Sequence, residues 1–127
     1  MFERKVTLPN GHIARSTTTD ESEHARLHSY DGKPAVEYSS PDGKVYHQRW
    51  MNDGVLHRIQ GPASVTLTPN GQECTYALNG RVLSERYVKL NDLLAEDGSF
   101  KDDIMFGLTM GGYDWLISEY PDVPYEG

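Results

Sequence analysis

The chain predicts a mainly β protein, an antiparallel meander of hairpin repeats with a C-terminal cap of short helices. Three observations carry that expectation. Pro-Asx-Gly turns recur: LPNG ends at Gly11, SPDG at Gly43 and TPNG at Gly71. In each, Pro presets φ and Gly accepts the positive φ that a tight turn needs. Asx-Gly turns alternate with these, NDG at 52–54 and LNG at 78–80, the strongest short-range hairpin signal. Between turns, residues alternate with period two, as half-buried antiparallel strands do.

The elements follow in order. Phe2, Arg4, Val6 and Leu8 approach the alternating pattern and make a first hairpin over residues 2–18. Val36 and Tyr38 alternate with Glu37 and Ser39; Tyr46, Gln48 and Trp50 alternate with His47 and Arg49. Ala63, Val65 and Leu67 alternate with Ser64, Thr66 and Thr68, and Cys74, Tyr76 and Leu78 with Thr75 and Ala77. The expected buried set is therefore Val36, Tyr38, Tyr46, Trp50, Val65, Leu67, Cys74, Tyr76 and Leu78. After Arg86 the pattern changes. Leu90, Leu93 and Leu94 are spaced i, i+3, i+4, which predicts a short helix over NDLLAEDG stopped by Gly98. Ser99 is placed to cap a second helix, with Asp102 and Asp103 in its first turn. Gly111-Gly112 is a break, YDWLISEY a third helix ended before Pro121, and PDVPYEG an extended tail. The expected division is a sheet over 1–88 and an acidic helical segment over 89–127 packed on it, one domain overall.

LHSYDGKPAV (27–36) and LHRIQGPASV (56–65) are two copies of one phrase. Residues 27–54 and 56–84 form two units of Leu-His, Gly turn, Pro-Ala, strand, turn, strand and Asx-Gly turn. A lone hairpin cannot bury its apolar face, so such units must lie side by side.

The second unit carries Asp53-Gly54, Leu56-His57-Arg58, Gly61-Pro62-Ala63, Asn70-Gly71, Tyr76 and Asn79-Gly80. In these residues it resembles the MORN-like, LHRxxGPA-type β-hairpin repeats of bacterial and phage proteins. In the first unit Ser29 stands where the Arg would, and Lys33 separates Gly32 from Pro34. The resemblance covers roughly residues 27–84 and implies a scaffold or interaction module without catalytic residues.

Charge divides the chain. Its formal net charge is −7; residues 91–127 hold nine Asp/Glu against Lys101 alone, while residues 1–90 are nearly balanced. That asymmetry points to a basic partner and away from direct nucleic-acid binding, although Arg49, Arg58, Arg81 and Arg86 with Trp50 and Tyr76 are candidates for a local basic stripe. No apolar run is long enough for a membrane span and the N-terminus lacks a signal-peptide core, so a cytoplasmic protein is expected. With one cysteine, Cys74, there is no disulfide framework and no CxxC metal pair. His24 and His28 make an i, i+4 pair, but Leu27-His28 belongs to a repeat strand, so no metal site or cofactor is expected. Recurrence gives His28 and His57 a structural role, an imidazole hydrogen bond to a neighbouring turn.

The leading expectation is thus a non-enzymatic interaction protein, a small phage or bacterial accessory protein that binds and inhibits a host factor, for example a basic nucleic-acid-binding enzyme. Its candidate binding residues are Asp102, Asp103, Tyr113, Asp114, Trp115, Glu119 and Tyr120, with Arg49, Trp50, His57 and Arg58 as a secondary surface. Packing of Phe106, Trp115, Leu116 and Tyr120 onto the sheet is the competing role for the aromatic residues. Two alternatives stand beside the binding function: a small hydrolase or lyase using His57 or His28, and a virion or assembly protein pairing through strand edges. The oligomeric state is open, a homodimer included.

Overall fold

A computed structural model describes residues 1–122. Seven strands form one antiparallel sheet in the order β1 (Phe2–Thr7), β2 (Ile13–Thr18), β3 (Val36–Ser39), β4 (Val45–Arg49), β7 (Ser64–Thr68), β8 (Gly71–Leu78), β9 (Arg81–Leu83). Between β4 and β7 the chain makes a small hairpin, β5 (Met51–Asn52) and β6 (Val55–Leu56). The meander is therefore the expected one. The final five residues of the expected tail lie outside the described residues. No helix among the described residues is long and apolar enough to cross a membrane.

The core does not sit where alternation places it. Val36, Trp50 and Leu78 are buried, whereas Tyr38, Tyr46, Val65, Leu67 and Tyr76 are half-buried and Cys74 is exposed. The main core lies at the C-terminal end of the sheet, where Leu78 and Leu83 meet Tyr87, Val88, Leu93, Phe100, Ile104, Leu108 and Leu116. Two-period alternation reports that a strand has two faces. It does not report that a second layer covers only part of one of them.

The cap also departs from expectation. The first helix is α1 (Glu85–Leu90), starting inside the segment assigned to the sheet. Ser84 caps it, accepting a hydrogen bond from the Tyr87 amide at 3.1 Å, and Glu85 pairs with Lys89 four residues on. Asn91 ends it and Asp92 turns with φ 51°. NDLLAEDG is consequently not a helix. Leu90 points to solvent, Leu93 is fully buried, and Leu94 bridges Phe100 across a tight turn closed by Ala95 and Ser99. Gly98 lies in that turn and Ser99 bonds Asp97 instead of capping a helix. Helix α2 (Asp102–Glu119) carries Asp102 and Asp103 in its first turn and breaks at Gly112 (φ 61°, ψ −150°), as the Gly111-Gly112 pair predicts.

Two hydroxyls tie cap to sheet and cap to itself. Tyr76 donates to the Gly98 carbonyl at 2.6 Å and packs edge-on to Phe100; Tyr87 donates to the Tyr120 carbonyl at 2.8 Å. Burial of Tyr87 raises its phenol to about 12, so this donor stays protonated at any ordinary pH.

Candidate functional site

Two regions bring the sequence-selected residues together: the junction between the repeats and the outer face of α2.

At the junction the repeated Leu-His phrase grips an Asx-Gly turn. Asp53 and Asn79 both have φ 49°, followed by Gly54 and Gly80 at φ 90° and 84°, the two positive values that a type I′ turn requires. Gly54 N–H donates to the Leu27 carbonyl and Asp53 N–H to His28 Nδ1 at 3.0 Å. One unit later, Gly80 N–H donates to the Leu56 carbonyl and Asn79 N–H to His57 Nδ1 at 2.9 Å. The two turns are joined by Asn52 Nδ2 donating to Asn79 Oδ1, and Arg26 holds the Asp53 carboxylate at 3.2 Å. The repeated histidine therefore satisfies a turn amide.

That geometry fixes the chemistry of both rings. A backbone N–H can only donate, so Nδ1 accepts and the neutral ring carries its proton on Nε2. Neither His28 nor His57 keeps a free basic nitrogen, which counts against the hydrolase assignment. His47 is held in the other tautomer: Arg49 Nε donates to its Nε2 at 2.8 Å, so Nδ1–H donates to Thr66. His24 lies in an exposed turn beside Glu23. No three His, Cys, Asp or Glu side chains cluster as a metal would need among the described residues.

Burial lowers the His57 pKa from its ordinary 6.5, and burial with the Arg49 charge lowers His47. The unfolded chain therefore takes up these protons at a higher pH than the folded one. Their contribution is complete above pH 6.5 and falls as the pH drops below it towards the lowered folded values. Thermal melts at pH 8 and pH 5 should show the loss. His57→Ala should cost about 1 kcal/mol at pH 8, the net worth of its bond to the Asn79 turn amide, and flatten part of the pH dependence.

Arg58 lies with its guanidinium carbon 3.9 Å from the Trp50 ring centroid and donates through Nη1 to the Pro62 carbonyl at 3.2 Å. Trp50 in turn donates to the Gly32 carbonyl at 2.9 Å. Trp50 is buried and Arg58 is half-buried. Arg49 is engaged with His47 and Arg81 stacks on Tyr113 at 4.3 Å, so each of these guanidiniums already has a partner within the chain. Arg58→Ala should lower stability by about 1–2 kcal/mol through loss of the stack and the carbonyl bond, readable by urea unfolding.

On α2 the opposite faces differ sharply. Ile104 and Leu108 are buried, while Phe106 is 68% and Met110 73% exposed. Asp102, Phe106 and Met110 are four residues apart and Asp103 flanks them, so they share one side of the helix. Phe106, expected to pack, faces solvent instead. Trp115 does the packing: it is half-buried and lies over Gly107 and Gly111, where added Cβ atoms would come within 2.2 Å and 2.5 Å of it. Tyr120 is half-buried, Tyr113 meets Arg81, and Asp114 and Glu119 are exposed beyond the Gly112 break. Sequence reasoning missed the pairing of Phe106 with Met110, although their i, i+4 spacing opposite Ile104 and Leu108 was visible. Comparison with protein-family models, with curated proteins and with solved structures gave no match.

Proposed function

We propose that this chain is a non-enzymatic interaction module, a repeat scaffold that presents an acidic, apolar helix face to a basic protein partner. The observation that carries the reading is the outward ridge Asp102, Asp103, Phe106 and Met110 on a helix whose other side is buried. A large exposed apolar pair rimmed by like charges is what a specific interface needs: apolar anchors for affinity, and charge for steering and partner choice. Asp114 and Glu119 extend the acidic field towards the C-terminus. Lys101, the one cation of this segment, is held by Asp92 at 2.7 Å and does little to offset it.

The hairpin staples support a MORN-like repeat scaffold, and a small accessory protein of phage or bacterial origin that blocks a host factor fits the size and charge. A nucleic-acid-binding enzyme has the basic groove such a surface would occupy. The test is capture from bacterial lysate by the tagged full chain, compared with Phe106→Ser and with Asp102→Lys/Asp103→Lys. One basic partner retained by the native chain and lost by both variants supports the reading. Equal capture by all three places binding elsewhere, and catalytic turnover abolished by His57→Ala would replace it with the enzymatic alternative.

A further inference from the structure

The groove between the repeats has a donor inventory that the interaction reading does not use. It measures about 300 Å³ and is lined by His28, Trp50, Asn52, His57, Arg58 and Gln60 among others, and no lining residue carries a carboxylate. Two turn carboxylates adjoin lining residues in sequence: Asp53, next to Asn52, is paired with Arg26, and Asp31, next to Gly32, is exposed to solvent. Both histidines accept turn amides at Nδ1, so each neutral ring offers an Nε2–H donor. Arg58 spends Nη1 on the Pro62 carbonyl, while its Nε is shut from solvent with no acceptor. Its positive charge meets a tryptophan face, and it makes no ion pair among the described residues. Asn52 and Gln60 add amide groups at the rim.

We infer that this groove binds a small oxyanion, a carboxylate or phosphate group, held by the Arg58 charge and the imidazole and amide donors around it. A cation would meet the guanidinium with no carboxylate to offset the repulsion. An apolar ligand would desolvate the Arg58 guanidinium and the ring N–H groups without supplying an acceptor. An oxyanion answers both, since it accepts several N–H bonds and balances the one charge. The site arises from the repeat itself: the Leu-His phrase orients the rings, and the Arg that follows it in the second unit supplies the charge.

The test is titration of the ¹⁵N-labelled full chain with inorganic phosphate and, separately, acetate at constant ionic strength. The Trp50 indole and Arg58 side-chain N–H signals are followed by NMR. Saturable shifts with a Kd of about 1–10 mM are expected. Gln60→Glu puts a carboxylate at an exposed rim position and should weaken binding about tenfold without unfolding the chain. Arg58→Met, which keeps a stem over Trp50, should abolish binding, and Gln60→Glu decides the matter if that variant does not fold. Saturation by phosphate alone, or by acetate alone, supports the site and identifies the oxyanion. Linear shifts with both anions, or saturation unchanged in Gln60→Glu, overturn it.

Discussion

Gly107→Ala should destabilise the protein by about 2–3 kcal/mol, a fall in Tm on the order of 10 °C. An added Cβ at Gly107 would lie 2.2 Å from two carbons of the Trp115 indole and 2.4 Å from a third. The ring cannot slide towards the next turn, because its own Cβ is close against Gly111. Leu116, next to it, is fully buried in the core, which limits how far the backbone at Trp115 can shift. In an ordinary helix the same substitution would stabilise by up to about 1 kcal/mol, since alanine is the better helix former. The sign therefore depends on the indole. In a Trp115→Ala background, Gly107→Ala should become neutral or stabilising, and a double-mutant cycle by thermal or urea unfolding reads the coupling. Equal cost in both backgrounds would mean that the glycine serves something other than this stack.

The same region shows what the sequence displays and what it hides. Strand order and turn positions were legible because Pro-Asx-Gly and Asn-Gly impose backbone angles locally, and neighbouring hairpins have few ways to lie together. The histidine staples were legible because a polar residue repeated with its turn has a turn to serve. Alternation places Cys74 in the core because it cannot show that the second layer covers only the end of β8, from Tyr76 to Leu78, and β9. NDLLAEDG was misread because three leucines at helical spacing match a helix pattern wherever they fall. Ser84 and Asn91 decide the register through their backbone bonds, moving α1 to Glu85–Leu90. Trp115 looked like a binding residue because aromatic residues among carboxylates suggest one. The small residues at four and eight positions before it, Gly111 and Gly107, were the sign that it folds back on its own helix.

With Trp115 committed to packing, the proposed binding role would fall to the residues left outside, and substitutions there should have the largest functional effect. Phe106→Ser should reduce partner affinity at least about thirtyfold, the cost of about 2 kcal/mol expected when a central apolar anchor is truncated. It should leave Tm nearly unchanged, because a side chain 68% exposed contributes little to folding. Asp102→Lys/Asp103→Lys should act differently. Both carboxylates lie in the first turn of α2, where negative charge favours the helix, so reversal costs stability of about 0.3–1 kcal/mol at each position. Its main effect on binding should be a slower association rate and a weaker dependence on salt, because exposed rim charges steer the encounter. Surface plasmon resonance at two salt concentrations separates the two classes: Phe106→Ser should raise the dissociation rate, and the double charge reversal should lower the association rate. If Phe106→Ser binds like the native chain while the charge reversal fails, the carboxylates alone form the contact and the exposed apolar pair has no part in it. If both bind like the native chain, the outer face of α2 is not the interface, and the sheet or the repeat junction must carry it.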